Sequence, residues 1–272
     1  MTTKPLINQN HVKYIQGSLP IIISSCHGGN YSPKDIPNRD FGVFDMDDYT
    51  QQLTQEILEE FFAQTNQFPH AVIMNLSRKK VDANRSIEEA TTNDKKAISS
   101  YKSFHDFIKE SKNQIEKNFS KGLYIDIHGQ SHSHQAIEFG YLLTNDILRL
   151  SDEEIERYEN FSSIKVQQEF SPFSFSEQVR GNFSLGTLMM DRGFDSIPSS
   201  KIPFAPRDDE YFEGAYNTRT HGSLISGKVS GIQIEFPYNC RDSKESRVRT
   251  AKALVSSIIE YMLIHFGIDL KN

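Results

Sequence analysis

Three apolar runs with strand character each end abruptly in polar residues, and this constrains the chain more than any other feature. The clearest is Gly122-Leu-Tyr-Ile-Asp-Ile-His-Gly-Gln130, where an acid, a histidine and a glycine close the run. Leu19-Pro-Ile-Ile-Ile-Ser-Ser-Cys-His-Gly-Gly29 ends in His27, and Val229-Ser-Gly-Ile-Gln-Ile-Glu-Phe-Pro237 carries Glu235. In open α/β sheets ligands bind outside the carboxyl ends of the strands. Residues two apart on an extended chain share a face, so Asp126 and His128 are expected to look into one cleft. Three strand ends bearing catalytic-type side chains point to an enzyme.

Between these runs the chain alternates strands and helices. Leu53, Ile57, Leu58, Phe61 and Phe62 keep helical spacing, and this helix is expected to start near Asp47 or Asp48. His70 to Leu76 reads as a buried strand that empties into the polar segment Ser77 to Arg85. A second amphipathic helix is expected over Lys95 to Asn118, with Ile98, Tyr101, Phe104, Phe107, Ile108 and Ile115 facing inward. A last helix over Lys244 to Phe266 carries Val248, Ala251, Leu254, Val255, Ile258, Met262 and Phe266 toward the core. Ser151-Asp-Glu-Glu154 has the form of a helix cap with acids in the first turn. Another short helix is expected within Ser176 to Asp191, and the prolines at 198, 203 and 206 mark an irregular loop. The expected fold class is α/β, with a mixed central sheet. No boundary divides the chain, which is read as one domain over residues 1–272, with 145–210 as an insertion around the cleft.

Charge and cysteine usage exclude several partners. The 272 residues carry a net charge of −6, with Lys and Arg mixed among Asp and Glu, so the basic stripe that nucleic-acid binding needs is missing. No apolar run reaches the eighteen or more residues of a membrane span. The N-terminal sequence has no apolar core of signal-peptide type, and the expected location is the cytoplasm. Cys26 and Cys240 are then expected to be free thiols. The oligomeric state stays open.

Two histidines at separate strand ends, His27 and His128, together with one carboxylate make the ligand set of an open Zn²⁺ site. Neither His-x-x-Glu nor His-Glu-x-x-His occurs, so the carboxylate comes from elsewhere. Asp47 is the preferred residue, with Asp45 and Asp48 as competitors; the alternative is that Asp47 or Asp48 only caps a helix. His132 and His134 are alternative ligands or a solvated loop. His11, His70, His105 and His265 lie outside these motifs.

The ordered set Cys26-His-Gly-Gly29, Asp47-Asp-Tyr-Thr-Gln-Gln-Leu53, Arg78-Lys-Lys-Val-Asp-Ala-Asn-Arg85, Asp126-Ile-His-Gly129 and Gln233-Ile-Glu235 resembles the N-formylglutamate amidohydrolase family. That family is similar in turn to the zinc carboxypeptidases and the succinyl- and aspartoacyl-hydrolases. The resemblance implies a phosphorylase/hydrolase-like three-layer α/β/α sandwich with one catalytic zinc per chain. It also implies His27, Asp47 and His128 as metal ligands, Glu235 as the acid/base, and Asn84 with Arg85 as a clamp for a substrate carboxylate. The chain departs from the family's Pro-His-Ser-Gly or Pro-His-Ala-Gly and Asp-x-His-Ser patterns at residues 26–29 and 126–129.

The expected reaction is hydrolysis of the amide of a small N-acyl amino acid or short peptide with a free carboxylate. In it Glu235 passes a proton from water to the leaving amine, and Arg78 or the metal holds the oxyanion. Arg219 and His221 are further candidate substrate contacts, and Asp126 is placed to orient His128. Arg78, Asp82 and Arg85 also suit a structural ion-pair cluster. Two other classes compete. One is a metal-free binding module on the same fold, and the other is a thiol hydrolase built on Cys26.

Overall fold

The computed structural model describes residues 10–271, so the N-terminal stretch read above for a leader lies largely outside the described residues. The chain runs β1 (Val12–Ile15), β2 (Ile21–Ser25), α1 (Thr50–Thr65), β3 (His70–Met74), α2 (Ile87–Thr91), α3 (Lys95–Phe119), β4 (Gly122–Gly129) and β5 (Ile137–Gly140). It continues through four short helices, α4 (Asn145–Leu148), α5 (Asp152–Ile155), α6 (Phe175–Arg180) and α7 (Leu185–Met190), to β6 (Ser196–Ile197). It closes with α8 (Tyr216–His221), β7 (Val229–Phe236) and α9 (Lys244–Phe266).

The strands form one mixed sheet in the order β1-β3-β2-β4-β7-β5-β6. The four neighbours β3, β2, β4 and β7 are parallel, while β1 and β5 join antiparallel. The carboxyl ends of β2, β4 and β7 therefore lie side by side, with His128 directly opposite Glu235 and Asp126 opposite Gln233.

Alternation along β4 shows how the sheet serves two layers. Leu123, Ile125 and Ile127 enter a core shared with Leu53, Ile57 and Phe61 of α1 and Leu254, Ile258 and Met262 of α9. Tyr124 points the other way, into a core with Tyr101, Phe104, Ile108 and Ile115 of α3. Asp126 and His128 share the parity of Tyr124, so the apolar α3 layer is continued at the strand end by polar groups. The helices on both faces make the three-layer α/β/α sandwich expected from the sequence.

The long helices fall where the spacing placed them: α3 begins after Asp94, whose side chain accepts from the Lys96 and Ala97 amides, and α9 spans the expected residues. Ser151 and Glu154 form the expected capping box. Three expectations need correction. α1 starts at Thr50 behind Tyr49, which sits in the left-handed region at φ 62°, so neither Asp47 nor Asp48 is its cap. Val248 is 41% exposed, because the buried stripe of α9 runs through Ala251, Leu254 and Ile258 instead. The stretch expected to hold one short helix over Ser176 to Asp191 holds two, α6 and α7.

Leu148, Ile155, Phe175, Val179, Leu185 and Met189 from the 145–210 stretch join the same core as α9. Among the described residues no helix is long and apolar enough to cross a membrane, and Cys26 and Cys240 are free.

His70 gives the fold a pH dependence that can be isolated. It is buried on β3, its Nδ1 accepts from the Gly17 amide at 3.3 Å, and burial pushes its pKa down to about 4. An unfolded histidine titrates near 6.5, so below that pH the unfolded chain takes up a proton that the native chain refuses. The stabilising contribution is complete above about pH 6.5 and is lost as pH falls toward 4. His70→Gln removes the titration, so the stability of wild type relative to this variant is expected to drop by roughly 3 kcal/mol between pH 7 and 4. Urea unfolding of both proteins across that range checks it; a constant difference contradicts it.

Candidate metal centre

His27 follows β2 and His128 ends β4, and the segment between β2 and α1 returns Asp47 to them. The Asp47 amide donates to the His27 carbonyl (3.2 Å), and the Gly129 amide donates to Asp47 Oδ2 (3.2 Å). The same Oδ2 lies 3.4 Å from His27 Nδ1 and 3.2 Å from His128 Nδ1. Zinc bonds of about 2.0–2.2 Å to nitrogen and oxygen give a tetrahedral edge of roughly 3.3–3.5 Å, and each of these two spacings matches such an edge. Asp45 and Asp48 are exposed, which leaves Asp47 as the carboxylate of the three that reaches the imidazoles.

Each imidazole is held on its far side by a second buried carboxylate. His128 Nε2 is 2.8 Å from Asp126 Oδ2, and His27 Nε2 is 2.7 Å from Asp82 Oδ1. An acid against the outer nitrogen is the arrangement that fixes the ring of a metal-binding histidine. Asp126 is itself fixed by Ser24 Oγ and by Asn217 Nδ2 at 3.0 Å. Asp82 receives Arg78 Nε at 3.0 Å and the Asn84 amide at 3.1 Å, with Arg39 Nη2 at 3.6 Å.

The electrostatics follow from this packing. Burial disfavours the charged forms of His27 and His128, yet the neighbouring Cys26 and carboxylates outweigh it and hold both pKa values well above the ordinary histidine value. Burial likewise opposes the Asp47 carboxylate, but the two imidazoles pull its pKa well below the usual range.

Glu235 sits at the end of β7, 5% exposed, with Oε1 3.9 Å from His128 Nδ1 and accepting from Gln233 Nε2 at 2.9 Å. Burial is the main cause that pushes its pKa up to about 8; the Asp47 and Glu138 carboxylates add to the rise, and His128 and His27 oppose it.

These groups face a cavity of about 510 Å³ lined by His27, Asp47, Arg78, Asn84, Arg85 and Glu235, among others. Donor atoms of Asp47, His128 and Glu235 all lie within 4.8 Å of one another, as do those of Cys26, His27 and His128. Cys26 is 3.7 Å from His128 Nε2 but has no exposed surface and does not line the cavity. A thiol there has no route to a substrate.

The remaining candidate residues divide. Arg78 lines the cavity, with Nη1 3.6 Å from Asp47 Oδ1, so it serves both the ion-pair cluster and the cavity wall. Asn84 lines it too, although its Oδ1 accepts from the Asn217 amide at 2.8 Å and ties the segment between β3 and α2 to α8. Arg85 is half-buried in the wall and donates to the Asn84 carbonyl at 3.3 Å.

Arg219 and His221 are not in the cavity. Arg219 is exposed, and His221 is turned away by α8, its Nε2 2.7 Å from His105 Nδ1. Three groups escaped sequence reasoning: Asp82 as the partner of His27, Arg39 behind it, and Asn217, which braces Asp126. Asp82 carried a signal in its place within the Arg78 to Arg85 segment; Arg39 and Asn217 carried none.

No protein-family model matches the sequence, and no curated protein matches it. Solved structures do share the fold. The chain is similar to the N-formylglutamate amidohydrolase of Ralstonia eutropha JMP134, with a TM-score of 0.56 and 10% identity over 95% of this chain and 99% of that one. It is also similar to a gene product of Agrobacterium tumefaciens, at 0.55 and 10% identity over 93% and 94%. The architecture is thus the α/β sandwich of the amidohydrolase that the motif set resembles.

Proposed function

We propose that the chain is a zinc-dependent amidohydrolase that cleaves a small N-acyl amino acid, or a short peptide, with a free carboxylate. The observation that carries this reading is the convergence of His27 Nδ1 and His128 Nδ1 on one oxygen of Asp47, with each far nitrogen held by a buried acid. His27, Asp47 and His128 hold the ion. When bound, zinc supplies a water acidified to a pKa of about 7, a Lewis-acid contact for the acyl oxygen, and a positive charge that draws the Glu235 pKa back toward the carboxylate range.

The protein's own groups do the rest. Glu235 takes a proton from the attacking water and returns it to the leaving amine; its burial and the amide of Gln233 keep it at the cavity wall in one orientation. Arg78 presents a guanidinium to the developing oxyanion, braced by Asp82 so that its position is set before substrate arrives. Asn84 and Arg85 face the same cavity and suit the substrate carboxylate, since a guanidinium makes two parallel bonds to it.

Substrates lacking that carboxylate leave Arg85 desolvated and unpaired, a loss of about 1–3 kcal/mol. N-acyl amino acids are therefore expected to be cleaved about 10–100-fold faster, in kcat/KM, than their C-terminal amides, and Arg85→Met is expected to remove the preference. Steady-state kinetics on matched acid and amide decide it; equal rates in wild type mean that Arg85 is structural. Binding of such acids without turnover, by protein free of zinc, would favour a binding module.

A further inference from the structure

We propose that His132, His134 and Glu138 form a second divalent-cation site at the rim of the cavity, apart from the centre built by His27, Asp47 and His128. Glu138 lies on β5 with no exposed surface, and its Oε1 is 2.6 Å from His132 Nδ1 and 3.2 Å from His134 Nε2. Donor atoms of the three residues all lie within 4.8 Å of one another. The backbone carbonyl of Glu210 lies 3.2 Å from the same His134 Nε2. On its outer side, His132 Nε2 is 3.2 Å from Oε2 of Glu210, an exposed carboxylate, unlike the buried acids behind His27 and His128. The second oxygen of Glu138 accepts from the Phe212 amide at 2.7 Å, so the carboxylate is oriented from both sides.

A carboxylate with no exposed surface needs a counter-charge. One dication held among Glu138, His132 and His134 would supply it. The 3.2 Å edge already suits a zinc-sized ion, and the 2.6 Å contact has to open by about 0.7 Å to do so. Mixed imidazole and oxygen donors favour Zn²⁺ or Co²⁺ over Mg²⁺. The site has a structural consequence. His132 is stacked on Phe212 at 4.6 Å, and His132, Glu210 and Phe212 line the cavity, so an ion there ties the loop after β4 to the segment before α8 as one wall.

The test is calorimetric titration of apo-protein with Zn²⁺ alone, and separately with Co²⁺ followed by its visible absorption, on wild type, His134→Ala, Glu138→Gln and His128→Ala. Wild type is expected to take two equivalents, His134→Ala and Glu138→Gln one each, and His128→Ala one. Glu138→Gln keeps the shape of the site and provides the reading if His134→Ala does not fold. A single wild-type equivalent that is lost in His134→Ala but kept in His128→Ala supports the rim site and overturns the centre assigned under the proposed function. Wild-type stoichiometry in both His134→Ala and Glu138→Gln overturns the rim site and leaves that centre standing.

Discussion

Glu235→Gln is expected to lower turnover by about 10²–10⁴-fold while the bound zinc stays in place. The substitution keeps the shape of the side chain and the contact with Gln233, but it removes the group proposed to accept and return the proton. Zinc retention is the informative half of the result, because the donor atoms of Asp47, His128 and Glu235 lie within 4.8 Å of one another. Were Glu235 a ligand, the glutamine variant would lose metal together with activity. Metal analysis alongside kcat separates the two roles, and near-normal turnover on a true substrate would move the base away from Glu235.

Asp82→Ala is expected to cost about 3–5 kcal/mol of stability, the amount typical of removing one partner from a buried charge cluster. Asp82 has no exposed surface and faces His27, Arg78 and Arg39, so its loss leaves two guanidinium groups and an imidazole without their common acid. Because the same carboxylate orients His27, zinc affinity is expected to fall about 10–100-fold as well. Chemical denaturation of the apo-protein reads the first effect and a competitive chelator titration the second. Stability within about 0.5 kcal/mol of wild type would show that water takes the place of Asp82.

The central strands could be read in the sequence because they are long apolar runs buried on both faces, as parallel strands are. The edges could not. β1 is four residues, β5 carries the charged Glu138 within four residues, and β6 is two residues long, so none has the length or pattern that marks a strand. The orienting role of Asp126 was legible because it stands two residues from His128 on one strand, where the pleat alone puts both on one face. The matching role of Asp82 was not, since it reaches His27 from 55 positions away, through a segment with no regular structure. His221 misled for the opposite reason: it lies in a stretch rich in polar groups, but the first residues of α8 bring Asn217 toward Asp126, and the helix turns His221 away from the cavity toward α3.

The most direct test of the metal centre is the zinc content of purified wild type, His27→Ala, Asp47→Ala and His128→Ala after dialysis against buffer without chelator. One tightly held zinc per wild-type chain is expected, with loss from each variant, because two remaining ligands hold the ion poorly. Full retention of zinc by both His27→Ala and His128→Ala would contradict the assignment.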